Sequence, residues 1–200
     1  MAVSIIDMSH FADIRDPAVE VPAAARRIGE YYGSIVSAAS AWWFADLEMH
    51  SAIRCRRRPG RKPCGGHIRL ILDTETDAIA WACSHCADRG CISGWRESPW
   101  DLSTVRVAEY GAPGWIELPL PLDDYRLLLR QAIPDPETER VVRAAQTARS
   151  GILLSAPHGA FVHLADWLAD KADHARRGKT RATLDRICDR ISGALRAELG

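Results

Sequence analysis

The sequence predicts an α+β protein in three parts. These are an N-terminal segment with a helix (1–50), a β-hairpin module (51–112) and a small C-terminal helical α/β part (113–200). Three observations support this division. Apolar residues recur at helical spacing in the first part. Two short strand-like runs flank a turn in the second part, and five of the six cysteines fall there, between Cys55 and Cys91.

The N-terminal helix is predicted from Ala23 to about Phe44, a stretch without proline. Its apolar stripe needs a partner surface, which we expect to be the core of the protein, with a dimer interface as the alternative. The stripe consists of Ile28, Tyr31, Tyr32, Ile35, Val36, Ala39, Trp42 and Trp43.

The central module is predicted to contain a β-hairpin, with strands at 67–73 (HIRLILD) and 78–83 (AIAWAC) and a turn at 74–77. A third short strand is predicted at 104–109. Glycine and proline punctuate the rest of this module heavily, so we expect it to need more than apolar burial in order to fold.

The C-terminal part is predicted to be a strand at 115–118, two helices at 122–132 and 136–148, a strand at 151–155, and two further helices at 158–174 and 180–199. Pro136 is favourable at the first position of the second helix. Cys188 lies on the apolar stripe of the last helix and is predicted to be buried.

The composition excludes several classes of protein. Lysine and arginine number 26 and aspartate and glutamate also number 26, so a uniformly basic coat and an acidic disordered tail are both excluded. No apolar run approaches the roughly 18 residues of a membrane span. The N-terminus lacks a basic segment before an apolar stretch, so no signal peptide is expected, and a cytoplasmic location is predicted.

The cysteines predict a metal site. Cys55 and Cys64 precede the hairpin, and the pair Cys83-x-x-Cys86 ends it. Two turns that supply two thiolates each form the layout of a zinc ribbon, in which four sulfurs surround Zn²⁺ as a tetrahedron. Glycines after Cys64 allow the backbone to turn tightly there. The predicted ligands are therefore Cys55, Cys64, Cys83 and Cys86.

Several alternatives to this ligand set remain open at the level of sequence. The cysteines are also compatible with disulfides, with a redox-active C-x-x-C pair, or with unrelated buried thiols. Within the metal hypothesis, His67 forms a Cys64-x-x-His67 pair that can replace Cys55, and Cys91 is a further candidate. His85 lies inside the knuckle and is predicted to face solvent.

No catalytic residues are predicted. We expect a structural rather than a catalytic zinc site, and a protein that is not an enzyme. A catalytic zinc keeps an open position beside an acid–base residue. The sequence has no H-x-E motif before its C-x-x-C pair, and Glu75 and Asp77 fall at the predicted hairpin tip. It also lacks the G-x-S-x-G, P-loop and G-x-G-x-x-G motifs.

Residues 49–72 form a basic island with seven basic side chains and no acid. Such a loop beside a zinc knuckle contacts DNA or RNA phosphates, or it offsets the negative charge of four thiolates around zinc. Trp95 and Trp100 are candidates for base stacking or for the core of the module. The predicted nucleic-acid-binding residues are Arg54, Arg56, Arg57, Arg58, Arg61 and Lys62.

Residues 52–103 resemble a block found in uncharacterised bacterial proteins. The shared pattern is a pair of cysteines around Arg-Pro-Gly, then W-x-C-x-x-C, G-x-I-x-G-W, and W-D or F-D. The matching residues here are Cys55, Cys64, Trp81, Cys83, Cys86, Gly90, Ile92, Gly94, Trp95, Trp100 and Asp101. The pattern has an aliphatic residue where this chain has Cys91. The resemblance implies metal binding and carries no activity.

Three functional hypotheses follow. The first is a non-enzymatic zinc-binding protein whose basic loop contacts nucleic acid. The second is a protein–protein adaptor or inhibitor, with the helical C-terminal part and Trp42–Trp43 as contact surfaces, acting on a protein partner or as a homodimer. The third is a metal-dependent enzyme, which requires an exchangeable ligand on the metal.

Overall fold

The computed structural model describes residues 3–44, 46–105, 114–131, 133, 135–149, 151–175 and 178–197. Within these residues the protein is a mixed α/β structure with five α-helices and eight β-strands. Packing divides the chain into two compact units, 1–104 and 105–200. The predicted N-terminal helix and the cysteine-bearing strands therefore belong to the same unit.

The first unit is built on a sheet of five strands. They are β1 (Val3–Asp7), β2 (Met49–Arg54), β3 (His67–Asp73), β4 (Ala78–Cys83) and β5 (Arg89–Ser93). Their spatial order is β1-β5-β4-β3-β2, and every pairing is antiparallel except the parallel one of β1 with β5. The β3–β4 hairpin has the bounds predicted from the sequence, whereas β1, β2 and β5 were not predicted.

The turn of this hairpin is held by its own side chains. The Asp73 carboxylate accepts hydrogen bonds from the Glu75 amide at 2.9 Å and from the Thr76 hydroxyl at 2.6 Å. Asp77 completes the turn with a φ of 57°, a left-handed conformation that aspartate tolerates better than most residues. The Arg96 guanidinium donates to both oxygens of Asp77, which ties the turn to the segment after β5.

Helix α1 (Ala23–Ala41) covers the inner face of the sheet and contacts β2 and β3. Tyr32, Ile35, Val36 and Ala39 are buried, so the middle of the predicted stripe is a core surface of this unit. Its ends differ, because Ile28 is exposed and the helix stops at Ala41, before Trp42 and Trp43. The buried residues of the stripe share one apolar cluster with the inner residues of the strands and with Cys55, Cys64 and Cys83. The sequence predicts that the central module depends on a metal in place of an apolar core. The structure differs, because the module shares one apolar core with α1.

The second unit combines three strands and four helices. The strands are β6 (Trp115–Leu120), β7 (Gln146–Ala148) and β8 (Gly151–Pro157), in which β8 pairs antiparallel with both others. The helices are α2 (Leu122–Arg130), α3 (Pro136–Arg143), α4 (His158–His174) and α5 (Lys179–Ala197). Within the described residues, no helix combines the length and apolar character that a membrane crossing requires.

The prediction of a helix from Pro136 to Ala148 is wrong at its C-terminal end. Helix α3 ends at Arg143, and residues 146–148 pair with β8 instead. Alanines there favour a helix, but pairing with β8 overrides local preference.

Two other predictions concern a strand and a cysteine. Of the strand predicted at 104–109, residue 104 lies in a turn and 106–109 lie outside the described residues. Cys188 is partly buried rather than fully buried.

Candidate metal centre

The four predicted cysteine ligands converge on one point at an end of the first unit's sheet. Cys55 directly follows β2, Cys64 lies in the loop before β3, Cys83 ends β4, and Cys86 lies in the turn towards β5. Their sulfur atoms all lie within 4.8 Å of one another. Three of these side chains are buried, and Cys86 is partly exposed. The four sulfurs are thus close enough to hold a single metal ion.

The distances between the sulfurs fit metal ligands rather than disulfides. The Sγ atoms of Cys55 and Cys86 are 3.7 Å apart, and those of Cys64 and Cys83 are also 3.7 Å apart. A tetrahedron with metal–sulfur bonds of about 2.3 Å has edges of about 3.8 Å. A disulfide brings its sulfurs to about 2.05 Å, and these cysteines are free.

Backbone amides point at the sulfurs in a repeated arrangement. In three of the four cases the amide two residues after the cysteine donates a hydrogen bond to its sulfur. The donors are Arg57 to Cys55 at 3.4 Å, Gly66 to Cys64 at 3.4 Å and His85 to Cys83 at 3.3 Å. Such dipoles stabilise negative charge on sulfur before any metal arrives.

Main-chain hydrogen bonds hold the two cysteine loops in place. The Cys55 amide donates to the Gly66 carbonyl at 3.0 Å, and the Cys64 amide donates to the Arg57 carbonyl at 2.9 Å. These reciprocal bonds close the loop between β2 and β3 on itself. The Cys83 amide donates to the Asp88 carbonyl at 2.8 Å and closes the second loop in the same way. The sulfurs are therefore positioned by backbone geometry.

Gly66 makes this close approach possible. A Cβ at this position would lie 2.6 Å from the Cys83 sulfur and 2.7 Å from the His85 Cβ. Gly65, the preceding residue, has no atom within 4 Å of the corresponding position. The Gly-Gly pair that the sequence suggested as a tight turn therefore contains one residue that must be glycine and one that need not be.

Burial and hydrogen bonds give the sulfurs different affinities for protons. Desolvation raises the pKa of the Cys55 and Cys86 thiols. Desolvation also opposes ionisation of Cys83, but hydrogen bonds from the amides of Cys86 and His85 outweigh it and lower the pKa of that thiol. Metal binding must displace the remaining thiol protons, so it is expected to weaken as pH falls.

Asp88 is a residue of this site that sequence analysis missed. Its carboxylate is buried, with Oδ2 3.8 Å from the Cys55 sulfur and Oδ1 3.5 Å from the Arg57 Nε. The exposed Arg57 side chain therefore pairs with a buried carboxylate that lies beside the cysteine cluster. The only signal in the sequence was the position of an acid two residues after Cys86, which is too common to single out.

The basic loop lies beside the cysteines. All of its cationic side chains are exposed, and one of them is also anchored on α1. Arg56 donates to the Tyr32 hydroxyl at 2.9 Å, and its guanidinium lies 4.8 Å above that ring. Its role is therefore partly structural. The side chains of Arg54, Arg57, Arg58, Arg61 and Lys62 are exposed. An open cavity of about 640 Å³ lies against this loop and reaches Cys86.

The rival ligands lie outside the group of four. Among the described residues, the atoms that converge within 4.8 Å are those of the four cysteines, and the group includes neither His67 nor Cys91. Burial, with a smaller effect of Arg54, lowers the pKa of His67. Trp95 and Trp100 are buried in the first unit, which removes them as stacking platforms.

No family model, no curated protein and no solved structure matches this chain. The site is therefore interpreted from its geometry and chemistry alone.

Proposed function

We propose that this chain is a non-enzymatic zinc-binding protein, with a structural zinc-ribbon-like site at Cys55, Cys64, Cys83 and Cys86. The observation that carries the proposal is the 3.7 Å spacing of both sulfur pairs, which suits tetrahedral thiolate coordination. Four thiolates are a soft ligand set that favours Zn²⁺ over Mg²⁺ or Ca²⁺. They also fill the coordination sphere, and this supports a structural rather than catalytic metal.

We further propose that the metal centre holds the basic loop in a shape that contacts the phosphates of DNA or RNA. Four thiolates and one Zn²⁺ carry a net charge of about −2. Arg57 lies beside this charge and pairs with the Asp88 carboxylate, so its own charge is used within the protein. Arg58 and Lys62 are exposed, and Arg58 donates long hydrogen bonds of 3.4 Å to the Arg61 carbonyl within the loop. These two side chains are therefore the best candidates for phosphate contacts.

Elemental analysis of the purified protein tests the metal. We expect one zinc per chain in the wild type and none in Cys83→Ser/Cys86→Ser. Cys188→Ser is the matched control, because its sulfur lies in the second unit and is expected to leave the zinc content unchanged. A wild type without bound metal after purification in zinc-containing medium would contradict the proposal.

Salt-dependent binding tests the nucleic-acid contact. We compare the wild type with Arg58→Gln/Lys62→Gln, and use Arg126→Gln/Arg130→Gln as a control with two exposed cations in the second unit. Arg61 is left in place because its φ of 66° makes substitution there hard to interpret. We expect the first variant alone to flatten the slope of log K against log salt, by about 0.9 for each lost contact with duplex DNA.

The two proposals fail separately. Zinc bound without any salt-dependent retention on DNA or RNA would leave the metal site standing and overturn the nucleic-acid contact. An equal loss of binding in both charge variants would show non-specific attraction rather than contact by the basic loop.

A further inference from the structure

The outer face of the first unit's sheet is open to solvent and carries side chains in ordered rows. Strands β3, β4, β5 and β1 are adjacent, and directly paired residues of neighbouring strands lie on the same face. An apolar row crosses all four strands through Ile71, Ala80, Cys91 and Ile5. Ile5 is 82% exposed in this row. This degree of exposure is unusual for an isoleucine in a strand.

Charged rows flank the apolar row on opposite sides. On one side the register aligns Arg69, Ala82, Arg89 and Val3. On the other side, Asp73 pairs with Ala78, and Asp7 pairs with Ser93. Hydrogen bonds from Thr76 and Ser9 lower the pKa of Asp73 and Asp7, so both carboxylates are negative at neutral pH. Along the strand direction, this face therefore carries a basic row, then the apolar row, then an acidic row.

This order of rows is complementary to itself. Rotation by 180° about an axis along the apolar row places that row against its own copy. The same rotation brings the basic row of each copy opposite the acidic row of the other. An interface of this kind is isologous, which is the usual form in homodimers.

We propose that a second copy of this chain docks face to face on this surface, with the two-fold axis along the row of Ile71, Ala80, Cys91 and Ile5. In this arrangement Arg69 faces the partner's Asp73, Arg89 faces the partner's Ser93, and Val3 faces the partner's Asp7, so Arg69 and Asp73 are the directly opposed charges. The alanines and Cys91 are small, and a groove of about 280 Å³ runs between them. Two such sheets pack about 10 Å apart.

The association is expected to be weak. Four strands and five residues along each cover a patch of roughly 15 Å by 15 Å. Over both copies this is about 450 Å², below the roughly 1,200 Å² at which specific stable interfaces begin, so the proposed dimer is a transient one. Glu48 already pairs with Arg69 at 3.1 Å, which reduces the attraction between Arg69 and the partner's Asp73. Arg89 is therefore the better residue with which to test the charge pattern.

Sedimentation velocity across the micromolar to millimolar range tests the dimer in the metal-loaded protein. We expect Ser93→Arg to raise the dissociation constant about tenfold or more, because it places an arginine opposite the partner's Arg89. Ser93→Glu is expected to lower it, and Arg89→Glu/Ser93→Arg to restore it by exchanging the two charges. Both positions are exposed, so these variants are expected to fold normally.

Cross-linking at Cys91 tests the position of the axis. Residues on the apolar row face their own copies, so a short bis-maleimide is expected to link two Cys91 thiols. The link is expected in Cys188→Ser, which keeps Cys91, and not in Cys91→Ser, which keeps Cys188. A protein that is monomeric at all concentrations, or a dimer unaffected by Ser93→Arg, would overturn the proposal. Both readouts are independent of nucleic acid.

Discussion

Gly66 is the single residue on which the geometry of the four sulfurs depends most directly. Its amide donates to the Cys64 sulfur, its carbonyl accepts from the Cys55 amide, and its missing side chain leaves room for Cys83. Three of the four ligands are thus in contact with one glycine. Any atom added at its Cα must displace a ligand or the backbone of His85.

We expect Gly66→Ala to weaken zinc binding by about 10- to 100-fold, because residues that support metal ligands commonly have effects of this size. Gly65→Ala is the control, since a Cβ there meets no neighbouring atom. Competition with a chromophoric chelator measures both affinities. Equal affinities in the two variants would show that Gly66 is not a constraint on the ligands.

Asp77 offers a test of electrostatics at the hairpin tip. Hydrogen bonds from Arg96 hold the pKa of Asp77 below its ordinary value of 3.8. A lowered pKa stabilises the folded state above that ordinary value, and this stabilisation is lost as pH falls through the lowered pKa. Both side chains are about half exposed, so solvent screens the pair.

We expect Asp77→Asn to reduce the free energy of unfolding at pH 7 by about 0.5 kcal/mol. Asparagine tolerates the positive φ of this residue, so the substitution removes the charge and keeps the turn. Urea unfolding at pH 7 and at a pH well below the ordinary value of 3.8, where the Asp77 carboxyl is protonated in the folded protein too, measures the difference between variant and wild type. A difference that persists at the lower pH would indicate lost packing rather than lost charge.

The residues of the metal site were largely predictable, because ligand chemistry leaves a strong pattern in the sequence. Two cysteine pairs around a hairpin identified all four converging sulfurs. Asp88 was not predictable, since its role depends on burial beside Cys55, which spacing does not encode. The anchoring of Arg56 on Tyr32 was missed for a similar reason, because the two residues meet only in the folded unit.

At the scale of elements, local signals predicted the β3–β4 hairpin and helix α4 with their correct bounds. Prolines, turn residues and clear periodicity mark those ends. Strands β1, β5 and β7 were missed because each has five residues or fewer, and β1 depends on a partner distant in sequence. Strand β2 was missed because its pairing with β3 is irregular, so its residues show no clean alternation. Strand β7 lies in an alanine-containing stretch whose local preference is helical.

The contact between α1 and the segment after β5 is the element-scale feature most open to test. Trp100 packs against Gly33, and a Cβ on Gly33 would overlap its indole ring. The Ser37 hydroxyl also donates to the Trp100 carbonyl at 3.0 Å. The helix therefore needs a glycine in its interior despite the helical preference of larger residues.

We expect Gly33→Ala to destabilise the first unit by about 3 kcal/mol through overpacking. Gly193→Ala in α5 is the contrasting case, since no atom lies within 4 Å of its added Cβ. There the change is expected to stabilise the second unit by about 0.5–1 kcal/mol. Thermal unfolding of both variants measures the two effects, and the same sign in both would contradict this account of the glycines.

At the scale of the whole molecule, the metal centre belongs to a unit that also has a substantial apolar core. The cluster under the sheet includes Tyr32, Met49, Trp81 and Trp95, together with three of the ligand cysteines. Apolar burial of this extent stabilises the sheet independently of zinc. We therefore expect the proposed metal to order the two cysteine loops at one end of that sheet rather than to hold the whole unit together.

We expect removal of zinc by a chelator to deprotect the amides of 55–66 and 83–88 while leaving β8 and α4 unchanged. The main-chain bonds that close the loops lie beside the sulfurs, whereas those two elements lie in the second unit. Hydrogen exchange followed by mass spectrometry measures both regions in one experiment. Equal loss of protection in the two units would show that the metal stabilises the chain globally.

The parallel pairing of β1 with β5 has a consequence for synthesis on the ribosome. Val3 pairs with Arg89, so β1 leaves the ribosome before its partner has been made. At 5–20 residues per second, the wait lasts roughly 4 to 17 s. The last ligand, Cys86, emerges just ahead of β5. The nascent chain thus gains its fourth sulfur and its edge-strand partner within the same second or two, so the proposed metal site is completed at nearly the same point in biosynthesis as the sheet.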